Sequence, residues 1–163
     1  MPRTYHNTAA LLPSGEVLVG GHAPISTLYL NNTTLPGGFA PHDGRDPSFE
    51  IYKPPYLFRG PQPQIRKVRS KFAYDKTYGV RTDVPAEEIE KVVLMRFASI
   101  THLVDGGQRG VELPIKGRRG KKLLLVGSPP DGAVAPPGPY MLFVIKKTDK
   151  GPVPSVAKTV MVG

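Results

Sequence analysis

Residues 140–145 read "YMLFVI", an unbroken run of aromatic, β-branched and long aliphatic side chains. Residues 92–95, "VVLM", and 123–126, "LLLV", repeat the pattern. A strand with one face in water alternates apolar and polar residues, whereas an unbroken apolar run is typical of a strand covered on both faces. The three runs therefore predict strands covered by a second sheet or another neighbour.

In the chain as a whole, 18 Gly and 19 Pro divide the 163 residues into short pieces that are rich in strand-forming residues. The pieces with strand character are residues 4–12, 17–19, 27–30, 49–52, 78–82, 92–97, 111–115, 123–126, 140–145 and 155–162. Residues 85–91, "PAEEIEK", could form a helical turn, with acidic residues first and Lys91 last. The chain is predicted to be all-β. Asp149, Lys150 and Gly151 supply turn chemistry for a final hairpin.

Residues 36–47, "PGGFAPHDGRDP", have no apolar periodicity and predict a linker or long loop. We therefore expect two parts, residues 1–40 and 41–163. The second part holds about seven strands over roughly 115 residues, which fits an immunoglobulin-like β-sandwich. The first holds about two hairpins of strand, which are marginal alone, so we expect it to pack on the sandwich or be disordered.

The formal charge is +9, from 22 Lys and Arg against 13 Asp and Glu. Two basic clusters occur where turns are expected: Arg66, Lys67, Arg69 and Lys71, then Lys116, Arg118, Arg119, Lys121 and Lys122. Without a binding motif or an array of aromatics, solvated loops are favoured and no nucleic-acid partner is expected. A basic binder of nucleic acid or acidic polysaccharide remains a third interpretation.

Several kinds of site are excluded or unsupported. The chain has no cysteine, which excludes a disulfide or thiolate site within it. Its four histidines, His6, His22, His42 and His102, form no local zinc motif, and the serines lie in no G-x-S-x-G elbow. No apolar stretch is long enough for a membrane span, and the first residues lack the features of a signal peptide.

Three segments, taken together, resemble a known family. Residues 3–21, "RTYHNTAALLPSGEVLVGG", open the chain, and "FEIYKPPYL" and "ITHLVDGGQRGVELP" begin at Phe49 and Ile100. Residues 133–162, "AVAPPGPYMLFVIKKTDKGPVPSVAKTVMV", close it. In this order they resemble the C-terminal region of galactose oxidase and glyoxal oxidase, the copper radical oxidases. The resemblance implies an early set immunoglobulin-like domain, preceded by the last strands of a seven-bladed propeller.

The resemblance implies copper as the cofactor and Tyr5, His6 and His102 as its ligands in this chain. The two imidazoles would be equatorial, and Tyr5 would be the axial ligand and take the proton from the substrate alcohol. Imidazole and phenolate suit a tetragonal Cu(II) site. Because successive strand side chains point to opposite faces, we expect a distortion at Tyr5 and His6, where the strand ends, twists sharply or bulges. His102 should lie on a hairpin between residues 97 and 109 that turns at Asp105, Gly106 and Gly107.

The family's site also needs a tyrosine cross-linked to a cysteine, supplied by the propeller, and this chain has neither a cysteine nor the repeated blades. We therefore expect a C-terminal fragment whose partner is the missing propeller region. The parent, extracellular by resemblance, would oxidise a primary alcohol or aldehyde with O2 and form H2O2. The chain alone should be inactive. The alternative is a non-catalytic β-sandwich for carbohydrate binding or domain association.

Overall fold

In a computed structural model, which describes residues 5–22, 49–102 and 104–163, short strands joined by turns make up the chain. The strands are β1 (Tyr5–Leu11), β2 (Val17–His22), β3 (Glu50–Tyr52), β4 (Ile65–Lys67), β5 (Lys71–Phe72), β6 (Thr77–Thr82), β7 (Ile89–Arg96), β8 (Ile100–Thr101), β9 (Val104–Asp105), β10 (Gly110–Leu113), β11 (Ile115–Arg119), β12 (Leu123–Gly127), β13 (Gly138–Lys146), β14 (Val153–Pro154) and β15 (Lys158–Val162). Short 3₁₀ turns form at Pro55–Phe58 and Ala86–Glu88. The all-β prediction is confirmed.

Two sheets form a sandwich around one core. The six-stranded sheet has the order β10-β7-β13-β15-β5, with β14 also paired to β13, and the four-stranded sheet has the order β11-β12-β6-β4. Buried side chains from both sheets form a single cluster that includes Val80, Leu124, Leu142 and Val160. Burial of this apolar surface holds the two sheets face to face.

The apolar run at residues 140–145 lies in β13, between β7 and β15. Leu142 and Val144 belong to the core between the two sheets. Met141, on the opposite face of β13, is also buried and shares a small cavity with Ala9 and Leu11 of β1. The N-terminal strands therefore cover the second face of β13, which explains why the run does not alternate.

Two segments differ from the predicted strands. The helical turn expected over residues 85–91 is limited to Ala86–Glu88, and β7 begins at Ile89, where buried Ile89 and Val92 join the core. The single run predicted at residues 111–115 is divided at Pro114: β10 pairs with β7, whereas β11 pairs with β12 of the other sheet. Because proline has no backbone N–H to donate to a ladder, it suits the position where the chain leaves one sheet and enters the other.

The turn after β13 follows its predicted chemistry. Gly151 has φ 103° and donates its N–H to the Thr148 carbonyl at 3.0 Å. The hydroxyl of Thr148 donates to the Gly151 carbonyl at 2.6 Å. The chain can therefore reverse, and both β14 and β15 pair with β13.

β1, β2 and β3 form a separate three-stranded sheet in that order. The strand predicted at residues 27–30, the linker at 36–47 and the boundary between 40 and 41 lie outside the described residues. β3 follows that boundary in sequence, yet it pairs with β2. The β1–β2 turn contacts the sandwich, because the Tyr56 hydroxyl donates to the Gly15 carbonyl at 2.6 Å and the Ala157 N–H donates to Pro13 at 2.8 Å.

Candidate metal centre

The strand that carries the Tyr-His pair is irregular at that pair. In the antiparallel β1–β2 ladder, Tyr5 pairs with His22 and Thr8 pairs with Gly20. Three residue steps on β1 thus oppose two on β2, so one extra residue lies between Tyr5 and Thr8, which is a β-bulge. The distortion expected at Tyr5 and His6 falls within this interval of β1. A bulge re-aims the side chains next to it and interrupts the strict alternation of a regular strand.

His102 lies at the tip of a small hairpin formed by β8 and β9. Its backbone has φ 51°, in the left-handed region that non-glycine residues seldom adopt. The hairpin was expected, but its turn is not at residues 105–107: β8 ends at Thr101, His102 follows it directly, and β9 begins at Val104. Gly106 and Gly107 form a second turn, where the chain returns toward β10.

Asp105 holds the base of this hairpin. Its carboxylate Oδ1 accepts the N–H of Ser99 at 3.0 Å and the N–H of Gly107 at 3.1 Å. These bonds join the residue before β8 to the residues after β9, and the Gln108 N–H adds a bond to the Asp105 carbonyl at 3.3 Å. The Asp105 carboxylate stabilises the base of the hairpin, because the two-residue strands β8 and β9 are too short to hold it by pairing alone.

The neighbouring hydroxyl can set the tautomer of His102. Thr101 Oγ1 lies 2.6 Å from His102 Nδ1. When Nδ1 carries the proton, it donates to Thr101 and leaves the Nε2 lone pair for a metal. Metal-binding histidines usually donate their other N–H in this way, which fixes the ring and its tautomer. The sequence analysis did not identify Thr101.

A cleft brings the hairpin and β1 together. Asn7, Thr8 and Ala10 line one side, and Ile100, Thr101 and His102 line the other. Its volume is about 410 Å³. Asn7 directly follows the Tyr-His pair in the chain, so the fold places residues separated by almost a hundred positions at one site.

The side chains of Tyr5, His6 and His22 lie outside the described part of the structure. Among the side chains that are described, no three His, Cys, Asp or Glu come together to hold a metal. The register places His22 opposite Tyr5, which the sequence analysis did not anticipate. The β1–β2 pairing is the signal that could have identified it, since a hairpin with a short turn brings residues 5 and 22 together.

The family described as "galactose oxidase-like, early set domain" matches residues 62–162. The chain belongs to this family. The matched region begins after β3 and includes the whole sandwich from β4 to β15. The resemblance noted from the sequence motifs is therefore confirmed, as is the early set domain.

Relatives of this early set protein match along nearly its whole length. It is 32% identical to "Aldehyde oxidase GLOX" of Vitis pseudoreticulata over 98% of the chain and 30% of that relative. It is 29% identical to "Galactose oxidase" of Gibberella zeae, over 98% of the chain and 21% of that relative. The chain thus spans less than a third of the length of these two oxidases.

A solved structure of a fungal alcohol oxidase of the AA5 family, in complex with copper, has the same fold. The TM-score is 0.79 at 26% identity, and the match covers 99% of this early set protein and 31% of the alcohol oxidase. The strands before the matched family region are included in that similarity. Within the described residues, no helix is long and apolar enough to cross a membrane.

Proposed function

We propose that this chain is the C-terminal part of a copper radical oxidase and contributes Tyr5, His6 and His102 to the copper site. The observation that carries the proposal is the cleft between β1 and the hairpin, lined by Thr8 on one side and His102 on the other. The similarity to a copper-containing alcohol oxidase supports it. The donor set fits the metal, since two imidazoles and a phenol suit Cu(II).

Each residue would have a distinct task. His102 would reach the metal from the tip of the β8–β9 hairpin, with the Thr101 hydroxyl accepting from Nδ1 in the tautomer that presents Nε2. His6 would supply the second imidazole from the bulged strand. Tyr5 would take the proton of the substrate hydroxyl, since a neighbouring cation can lower a phenol pKa from about 10 into a usable range. When bound, copper supplies Lewis acidity and one-electron redox chemistry.

The whole protein would oxidise a primary alcohol or an aldehyde with O2 and release H2O2. The names of the relatives, galactose oxidase and aldehyde oxidase, support this reaction class. This chain has no cysteine for the Tyr-Cys radical site. We expect the chain alone to be inactive, with the radical site and the substrate contacts supplied by a propeller region and the whole protein located outside the cell.

We further propose that β1, β2 and β3 are the last strands of that propeller. β3 supports this, because its Ile51 and Tyr52 are 40% and 56% exposed and the preceding Phe49 is 62% exposed. Ile51 and Tyr52 face opposite sides of the strand, so apolar surface is exposed on both sides of β3, and large exposed apolar patches mark interaction sites. The pairing of β3 with β2 extends this unit as far as Tyr52, beyond the boundary at residue 40.

Copper titration of the purified chain tests the site. We expect calorimetry to show one Cu(II) ion bound per chain, with affinity reduced at least about tenfold in His102→Ala, the loss typical of a missing ligand or its support. His42→Ala is the matched control, since it removes an imidazole that the proposal does not use. The variant His22→Ala tests whether the residue paired with Tyr5 in the β1–β2 ladder also affects copper affinity.

Two outcomes would refute the site. One is copper binding that His102→Ala leaves unchanged. The other is an equal loss in His102→Ala and His42→Ala, which would indicate non-specific binding by surface imidazoles. Circular dichroism of each variant verifies that the sandwich is folded.

A further inference from the structure

The outer face of the four-stranded sheet carries a groove that plays no part in the copper proposal. Four cationic side chains line it: Lys67, Arg69, Lys76 and Arg81. Gly79 and Leu123 also contribute to its lining. The volume is about 570 Å³, and the groove opens to solvent. We call this surface the basic groove.

The cations of the basic groove are not neutralised by any described acidic side chain. Just outside it, Arg66 does form an ion pair with Asp83, at 3.5 Å. No such pair involves the four groove cations within the described residues. Unpaired like charges repel one another and create a positive potential that attracts anions. Surfaces that serve only solubility usually carry basic and acidic residues interspersed, unlike this one.

The strand register sets the positions of these charges. Arg119 of β11 pairs with Leu123, Leu123 pairs with Arg81 of β6, and Arg81 pairs with Lys67 of β4. These residues therefore form a row across the sheet, with neighbouring positions about 5 Å apart. Such a row presents three cations, with Leu123 between Arg119 and Arg81, to a ligand that crosses the strands.

The lining of the basic groove is flat and partly apolar. At Gly79 a side chain would crowd Leu123, whose Cδ1 would be 3.3 Å from an added Cβ. Gly79 has no side chain and Leu123 is aliphatic. Together they leave a shallow apolar surface beside the charged side chains. A sugar ring has a matching apolar C–H face and a polar rim.

The one aromatic lining residue is poorly placed for stacking on bases. The ring of Tyr78 already stacks on Phe72, with ring centroids 4.3 Å apart and planes 3° from parallel. Its hydroxyl accepts the Ala73 N–H at 2.8 Å. Single-stranded nucleic acid is usually bound on freely presented aromatic rings. The lining of the basic groove therefore favours an anionic glycan over a nucleic acid.

We propose that the basic groove binds an anionic polysaccharide, namely a polyuronate with one carboxylate on each sugar. Arg81 and Lys67, which are direct neighbours in the row, would pair with successive carboxylates, and Leu123, on the other side of Arg81, would contact the adjoining sugar ring. Arginine provides a planar fork that matches a carboxylate. This site shares no residue with the copper proposal and can be tested in the copper-free chain.

Affinity electrophoresis of the chain through gels containing polygalacturonate tests the inference. We expect strong retardation that falls as salt increases, because exposed charge pairs are screened. The double variant Lys67→Gln, Arg81→Gln should lose at least about tenfold in affinity, the size of effect seen when charge-assisted bonds are removed. The matched control is Lys150→Gln, Lys158→Gln, which removes the same charge from exposed positions outside the groove and should stay within about twofold.

The comparison polymers separate the possible ligands. Fully methyl-esterified polygalacturonate keeps the sugar chain but not the charge, and we expect it to retard the chain weakly. Equal retardation by the ester would overturn the proposal, as would equal loss of affinity in the control variant. Tighter binding of single-stranded DNA than of polygalacturonate would also overturn it and would assign the groove to nucleic acid.

Discussion

The Thr101 hydroxyl is a hydrogen-bond partner for the ring nitrogen of His102 that would not bind the metal. The 2.6 Å contact between Thr101 Oγ1 and His102 Nδ1 requires one of the two atoms to donate a proton. Only the tautomer in which Nδ1 donates leaves Nε2 able to bind a metal. Thr101 is thus a positioning residue for the proposed copper site.

We predict that Thr101→Val lowers copper affinity by about tenfold or more, within the range found for lost partners of metal ligands. Thr101→Ser retains the hydroxyl and should restore most of the affinity. Because Thr101 is exposed, the free energy of unfolding should change little in either variant. Equal copper affinity in the Val and Ser variants would show that the hydroxyl does not act on His102.

Ser155 makes a second residue-scale prediction, on stability. Its side chain is fully buried, and its Oγ accepts the Val144 N–H at 3.1 Å. Ser155→Ala leaves that buried donor unpaired, which should cost about 1–3 kcal/mol in the free energy of unfolding. Urea denaturation measures it. Ser70→Ala, at an exposed position, is the control and should stay within about 0.5 kcal/mol; similar losses in both would contradict the assignment.

At the scale of elements, the β8–β9 hairpin depends on a carboxylate more than on its ladder. β8 and β9 have two residues each, so pairing alone cannot hold them. Asp105 bonds to the backbone on both sides, at Ser99 and Gly107. The position of His102 therefore depends on a side chain three residues away.

We predict that Asp105→Ala accelerates amide hydrogen exchange at Ser99 and Gly107 and weakens copper binding, because the hairpin opens more often. Exchange in the core strand β13 should stay unchanged, since no core contact is removed. Asp105→Asn keeps an oxygen acceptor and should show an intermediate effect. Unchanged exchange at Ser99 and Gly107 in Asp105→Ala would mean that the hairpin is held by other contacts.

The elements that the sequence predicted include those with long apolar runs, such as β7, β12 and β13, and shorter ones such as β3 and β6. It missed β4 and β5, which have three and two residues and no apolar pattern of their own. β5 forms only because it pairs in parallel with β15, with Met161 opposite Lys71, a contact between distant parts of the chain. Local patterns carry no signal for such pairings.

For the site, a distortion at Tyr5 and His6 was predicted because the family resemblance implies that both bind one ion, whereas regular alternation would separate them. The sequence placed the hairpin turn at Asp105, Gly106 and Gly107, because glycines favour turns. In the structure the non-glycine His102 takes the positive φ instead. A left-handed conformation at a non-glycine residue costs about 1–3 kcal/mol, and residue propensities do not predict a conformation that the rest of the fold imposes.

At the scale of the whole molecule, the N-terminal sheet and the sandwich are joined through Tyr56. Its hydroxyl donates to the Gly15 carbonyl in the β1–β2 turn, while Gln62 Nε2 donates to the Ser14 carbonyl at 2.9 Å. Partial burial raises the pKa of Tyr56 above its usual 10.0, and nearby Tyr52 raises it further. The folded protein therefore favours the protonated phenol.

This raised pKa predicts a stability change at alkaline pH. Its stabilising contribution is fully present below the unfolded-state pKa of about 10 and is lost as pH rises through the higher folded-state pKa. The free energy of unfolding should thus fall more steeply above about pH 10 in the original chain than in Tyr56→Phe, which has no phenol to ionise. Urea denaturation at stepped pH measures both slopes. Parallel curves would show that Tyr56 does not couple folding to pH.

The central claim is that Tyr5, His6 and His102 share one copper ion, and electron paramagnetic resonance of the chain with one equivalent of Cu(II) tests it most directly. The account predicts a tetragonal spectrum with hyperfine structure from two imidazole nitrogens, reduced to one in His102→Ala and in His6→Ala and unchanged in His42→Ala. A spectrum of copper in water, or one that neither His102→Ala nor His6→Ala alters, would contradict it.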